Sequence, residues 1–216
     1  MKKDIAVIGL GTFGYEVARQ LSKNGHHILA IDTDEKKINQ IKDEVDIALI
    51  ADITDPDILK KIQIDQFDQV ILAMSSNLES IILGITHMKK MGVKHIIGKA
   101  NTPVQREILY KIGADEVILP EVSAAIRLAD KITHPDIIEK FKITDNNTLM
   151  EVVVPGKYEG KSLKDLDLRK KYGLNVLMLS RDGQTEVVTQ PDLKFKKDDI
   201  IFVIGDESQI KKTFFK

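Results

Sequence analysis

The chain of 216 residues is long enough for one large domain or for a medium and a small one. Hydrophobic residues at 43% and charged residues at 30%, with 5% aromatics and no Trp, argue against disorder and fit an α/β protein rich in Ile, Val and Leu. Lys+Arg 32 against Asp+Glu 33 leaves no global positive field for nucleic acid or anionic lipid, and the lack of Cys excludes disulfides, thiolate nucleophiles and thiolate metal ligands and fits a cytoplasmic location.

The start, MKKDIAVIG, is charged and then apolar like a secretory leader, but its apolar run breaks early at glycine, so it reads as a first buried strand. No stretch reaches the roughly 20 apolar residues of a membrane helix. From there DIAVIG, HHILAID, DIALIA, FDQVILAM, KHIIGKA and DEVILP have strand length. They alternate with TFGYEVARQLSKNG, DEKKINQIKDE, DPDILKKIQI, LESIILGITHMKKMG and TPVQREILYKIG, which carry apolar residues at helical spacing. This β-α order predicts a doubly wound parallel sheet with helices on both faces. Gly25, Gly92 and Gly113 stand where left-handed helix caps are wanted, and Pro56 and Pro103 near helix starts. After Pro120, EVSAAIRLADKIT predicts a helix, HPD a break, and IIEKFKI a second short helix. A turn-like TDNNT follows, then TLMEVVVP, LNVLMLSRDG, QTEVVT and DIIFVIG as strands, with Asp182-Gly183 as a hairpin turn. KSLKDLDLRKKYG reads as a short helix or irregular linker, and DESQIKKTFF as a terminal helix. The expected division is 1–134 for the first domain, 135–146 for a crossover helix or linker, and 147–216 for a small α+β domain.

Gly9, Gly11 and Gly14 follow a predicted strand and open a predicted helix. In that context the first glycine permits a tight turn, the second lets backbone approach a phosphate, and the third lets helix and strand pack closely. The helix start adds unpaired N–H groups and partial positive charge. About twenty residues on, the second strand ends in Asp32, an acceptor for ribose hydroxyls that would repel a 2′-phosphate. NAD, ATP or ADP is therefore expected over NADP.

Catalytic machinery for an oxidoreductase is hard to find. Each Tyr lacks a Lys four positions later, and the five His show no metal-like spacing with acids; His26 and His27 flank a strand start as surface residues. Ser75 and Ser76 follow the fourth strand at the carboxyl edge of the sheet, where ligands bind, with no glycine elbow or base beside them, which suits phosphate or ribose contact. An NAD-dependent oxidoreductase of Rossmann type stays open as the alternative, as does an assembly module with an empty glycine loop.

The motifs VIGLGTFG, LAIDTD, ALIADITD, VILAMSSN, HIIGKAN, KIGADEVILPE, KSLKDLDLRKKYGLNV and DIIFVIG span nearly the whole chain. In order and spacing it resembles the cytoplasmic regulatory subunits of Ktr/Trk-type potassium uptake systems, made of a Rossmann-like RCK N-domain and a small α+β RCK C-domain. The resemblance implies a non-enzymatic switch, a homodimer-based ring, typically an octamer. That ring docks on a membrane-embedded K⁺-translocating subunit at the inner face of the cell membrane, and ATP and ADP favour different ring shapes. By position it implies that Gly11, Thr12, Phe13 and Gly14 line the phosphates and that Asp32 holds the ribose, with Thr33, Asp34 and Lys37 alongside. Asp52, Ile53 and Thr54 would lie near adenine or ribose, Met74, Ser75 and Asn77 along the fourth strand's edge, and Lys99 near the phosphates. By itself Lys99 also reads as a solvated strand-end lysine. Glu121 matches a family glutamate that helps bind a divalent cation, Mg²⁺ or Ca²⁺, at the dimer interface; otherwise it reads as a helix-start carboxylate.

Many family members carry Arg where this chain has Thr12, and a hydroxyl supplies no charge, so NAD(H) rises as an alternative ligand. The second domain resembles those that bind cyclic di-AMP between protomers, implying Asp167, Leu168, Arg169, Asn175, Val176 and Pro191 as its site. The same residues also read as ordinary core and dimer interface.

Overall fold

The computed structural model describes residues 2–74 and 77–215. The chain divides into two compact units, Met1–Ala124 and Ala125–Lys216.

In the first unit, six strands, β1 (Asp4–Ile8), β2 (His27–Asp32), β3 (Ile47–Ile50), β4 (Gln69–Leu72), β5 (Ile96–Lys99) and β6 (Glu116–Ile118), form one parallel sheet in the order β3-β2-β1-β4-β5-β6. Strand alternation sorts the side chains into two cores. Ile5, Val7, Ile28 and Ala30 pack with α1 (Thr12–Lys23) and α2 (Glu35–Ile41), while Ala6, Ile8, Leu29 and Ile31 pack with α3 (Pro56–Lys61), α4 (Leu78–Met91) and α5 (Pro103–Lys111). Because crossovers are right-handed, the helices change face where the strand order reverses, between β1 and β4, and a crevice opens there at the carboxyl ends. Edge strand β3 is less buried than its apolar sequence suggests, with Ile47 and Ile50 exposed.

α6 (Pro120–Thr133) forms as expected, and the division between the units falls inside it. In the second unit β7 (Ile137–Lys142), β8 (Thr148–Val153), β9 (Asn175–Arg181), β10 (Gln184–Val187) and β11 (Ile200–Gly205) form an antiparallel sheet ordered β10-β9-β11-β8-β7. The helix expected within 135–146 is instead strand β7. IIEKFKI is too short to form a helix unaided, and pairing with β8, from Ile137 opposite Val152 to Lys142 opposite Thr148, satisfies its backbone and buries Ile137. KSLKDLDLRKKYG resolves into two short helices, α7 (Leu163–Leu166) and α8 (Leu168–Tyr172). Ser162 and Asp165 form a capping box on α7, and Asp167 holds the left-handed joint at φ 48°. Leu168, Leu174, Phe195, Ile201 and Phe214 fill the core beneath α9 (Glu207–Phe214). The Asp182-Gly183 hairpin turn has both φ values positive, as a type I′ turn requires.

Candidate functional site

Glycine geometry builds the first site. Gly9 sits at φ +90°, with Met74 against the place a Cβ would take, so only glycine turns the chain there. A Cβ on Gly14 would run into the Gly9 carbonyl oxygen and Ala73, so the third glycine is what lets α1 lie against the sheet. A Cβ on Gly11 would meet nothing within 4 Å. The second glycine therefore serves no contact within the chain and leaves open the space in front of the helix start.

That helix start is unusual within its unit. Asp34, Asp55, Asn77 and Thr102 cap α2, α3, α4 and α5 with side-chain oxygens, whereas α1 begins at Gly11 with no side-chain cap. Its first helical bond is Tyr15 N–H to the Gly11 carbonyl at 2.9 Å, so the N–H groups of Thr12, Phe13 and Gly14 precede the ladder. Donors of this kind, backed by the helix dipole, suit an anion.

Around this point lies a cleft of about 180 Å³ at the crevice. It brings together Gly9, Gly11, Asp32, Thr33, Lys37, Asp52, Ile53 and Met74 from the expected set, and adds Ile8, Ala51 and Ala73. Thr12, Phe13, Gly14, Asp34, Thr54, Asn77 and Lys99 do not line it. Thr12 is exposed at the start of α1, Asp34 and Asn77 are spent as caps of α2 and α4, and Thr54 donates to Asp52 Oδ1 at 2.8 Å. Ser75 and Ser76 lie outside the described residues. A second hollow of about 280 Å³ opens at the amino ends of β1–β3, beside His27 and Phe67, the opposite end of the sheet from the glycine turn. His27 there reaches Asp46 at 3.3 Å and is largely exposed, as a surface residue.

Asp32 is the charged floor of the cleft. Burial works to raise its pKa, but N–H bonds from Leu10 at 2.7 Å and Asp34 at 2.9 Å, together with the Lys37 ammonium at 3.1 Å, hold it below the ordinary carboxylate range. It stays ionised, hence an acceptor for hydroxyls. The Leu10 contact was invisible in sequence because it uses a backbone N–H of the loop.

Lys99 is buried to 5% exposure at the end of β5, and its ammonium lies 2.6 Å from Glu121 and 3.4 Å from Asn101. The strand-end lysine is thus neither solvated nor part of the cleft. The bond from Lys99 holds the Glu121 carboxyl below its usual range. Among the described residues no group of three or more His, Asp or Glu is placed to hold a metal ion. Within the chain Glu121 is paired with Lys99 and remains exposed, and a cation held there between two protomers, as the resemblance implies, would need ligands from a second copy.

In the second unit, Asp167, Leu168, Arg169, Asn175, Val176 and Pro191 all line one cavity of about 370 Å³. Leu163, Lys164, Leu174, Val188, Thr189 and Gln190 complete it and were missed. Their signal was the Thr-Gln run before Pro191 and the apolar residues flanking Asn175. Lys164 N–H donates to the Pro191 carbonyl at 2.9 Å, tying the two sides together. The wall combines apolar surface with an exposed guanidinium, which suits a ligand having both bases and phosphates.

Residues 5–120 match the TrkA-N domain family and residues 149–214 the TrkA-C domain family. Over 212 residues the chain is 35% identical to Ktr system potassium uptake protein C of Bacillus subtilis (strain 168), covering 98% of this chain and 96% of the relative. The chain belongs to the Ktr family of potassium uptake proteins. Another Ktr relative, Ktr system potassium uptake protein A of Vibrio alginolyticus, is 33% identical and covers 96% of this chain and 94% of its own. Among solved structures, the GsuK RCK domain covers 100% of this Ktr-family chain with a TM-score of 0.67 at 16% identity, a likeness of fold; this chain spans 47% of that one. The NAD(P)-binding domain of an exopolyphosphatase-related protein from Archaeoglobus fulgidus is 25% identical with a TM-score of 0.54, over 61% of this chain and 98% of its own. Among the described residues of this Ktr-family chain no helix is long and apolar enough to cross a membrane.

Proposed function

We propose that this chain is the nucleotide-sensing regulatory subunit of a K⁺ uptake system, acting from the inner face of the membrane on a membrane-embedded K⁺-translocating partner. The observation that carries the reading is the uncapped start of α1, left open by Gly11 and facing the Asp32 end of β2 across one cleft. ATP or ADP would place phosphates on the N–H groups of Thr12, Phe13 and Gly14 and its ribose at Asp32. The Archaeoglobus neighbour, an NAD(P)-binding domain, supports NAD(H) as the alternative, and Thr12 in place of a charged residue favours that alternative as well. Gating needs only that the ligand bind two shapes of the assembly unequally, so the reading requires no catalytic group.

Self-association into homodimers and a ring belongs to this reading. Ile126, Leu128 and Ile132 of α6 are 56%, 60% and 71% exposed, and Phe141 of β7 is 50% exposed, apolar surface that a second copy would cover. Cyclic di-AMP is the proposed ligand of the second unit, supported by the convergence of its six expected residues on one cavity.

Equilibrium binding of the purified chain to ATP, ADP, NADH and cyclic di-AMP tests the proposal. Binding of an adenine nucleotide that Asp32→Ala weakens is expected. Failure to bind any of the four overturns the reading, and steady oxidation of NADH with small carbonyl substrates would favour the oxidoreductase instead.

A further inference from the structure

The second unit holds another hollow, of about 360 Å³, that shares only Leu168 with the cavity beside Arg169 and Pro191. One wall follows the single helical turn Gly156–Tyr158. Gly160, at φ +78°, bends the chain there and donates its N–H to the Phe195 carbonyl at 2.8 Å, which fixes Tyr158 and Lys161 on the rim. The other wall is the α7–α8 pair, with Leu166 and Leu168 buried and Lys171 and Tyr172 towards solvent.

Its aromatic wall is rigid. Tyr158 packs edge-on against Phe214 with ring centroids 5.9 Å apart and donates its hydroxyl to the Thr213 carbonyl at 2.9 Å, so the ring is fixed and its polar tip is spent. The Lys161 ammonium lies 5.8 Å from the centre of that ring, within reach of its negative face. Neither Lys161 nor Lys171 has a carboxylate partner among the described residues, whereas Lys164 and Lys211 of the same unit are paired with acids. Asp165 is the acid of the lining, and its Oδ2 is taken by the Ser162 N–H and hydroxyl at 2.9 and 2.8 Å. Oδ1 keeps its lone pairs for hydroxyl donors. Two ammonium groups against one carboxylate favour an anion. The hollow is too roomy for a bare phosphate to fill, and its volume lies in the range of small-molecule sites, roughly 300–1,000 Å³.

We propose that this hollow binds a phosphorylated sugar or polyol, with Lys161 and Lys171 holding the phosphate, Asp165 accepting from a hydroxyl, and the tyrosine and leucine surfaces covering the carbon skeleton. The site is independent of the nucleotide-binding reading of the first unit.

The test is isothermal titration of the full chain with ribose 5-phosphate, glucose 6-phosphate, ribose and inorganic phosphate, with and without saturating ADP. At least one sugar phosphate should bind about tenfold or more tightly than inorganic phosphate, ribose should not bind, and ADP should change nothing. Lys161→Met and Lys171→Met should each weaken binding about tenfold or more, the worth of one hydrogen bond to a charged group, while Lys171→Arg retains it. Lys170→Met, the adjacent exposed lysine outside the hollow, should have no effect. Melting temperatures equal to the parent's separate lost contact from lost fold, since both lining lysines are exposed. The proposal is overturned if neither sugar phosphate binds, if inorganic phosphate binds as tightly, if ADP displaces the ligand, or if Lys170→Met weakens binding as much as the lining substitutions, which would mean diffuse surface charge.

Discussion

Gly11 and Gly14 lie three residues apart at the start of α1 and serve opposite purposes. At Gly14 any side chain collides with the Gly9 carbonyl, so Gly14→Ala should destabilise the fold by roughly 1–3 kcal/mol, the usual cost of forcing a methyl into a packed site, read as a lower denaturation midpoint. At Gly11 a side chain meets open space and the backbone is at φ -65°, ordinary for any residue. Gly11→Val should therefore leave the melting temperature within a few degrees of the parent, the size of a minor cap change, while abolishing nucleotide binding by filling the phosphate space. A Gly11→Val chain that still binds nucleotide would move the site elsewhere.

In the second unit a part-buried ion pair joins the end of one strand to the turn before another. Asp199, 1% exposed, accepts from Arg181 Nε at 2.8 Å and Nη2 at 2.7 Å, and from Lys196 N–H at 2.7 Å, joining the end of β9 to the turn before β11. Burial works to raise the Asp199 pKa, and the guanidinium and the N–H bond outweigh it, so the net direction is down. Since the folded pKa lies below the unfolded one, the pair stabilises the fold above the ordinary aspartate pKa of about 3.9 and loses that contribution as the pH falls through the folded value. Acid unfolding monitored by circular dichroism should show this, and Asp199→Asn should flatten that part of the profile. Arg181→Ala leaves the carboxylate buried and unpaired, and should cost roughly 2–4 kcal/mol in urea unfolding. β7 teaches the complementary lesson: seven residues of IIEKFKI carry no signal strong enough to choose helix or strand, and the exposed edge of β8 decided it.

For the molecule as a whole, the candidate sites for the two nucleotide ligands lie in different units, so the two ligands should stabilise different parts of the chain. Differential scanning calorimetry should show ADP or NADH raising the transition of the first unit by about 2.7 kcal/mol at a hundredfold excess over its Kd, with cyclic di-AMP acting on the second. If both ligands move the same transition equally, the two units do not unfold separately. Much of this plan was legible in the sequence. Strand-length apolar runs alternating with helical patterns dictate a parallel sheet, because right-handed crossovers leave little choice, and three glycines before a helix with an acid twenty residues on mark its crevice. Those signals are local, carried by neighbours along the chain. What only the tertiary structure decided is which charges meet: that Lys37 and a loop N–H fill most of Asp32, that Lys99 turns from the cleft to Glu121, and that Asp199 finds Arg181. Such partners lie 5 to 22 residues apart, and their pairing is set by burial, where an unmet charge costs most, rather than by any pattern along the chain.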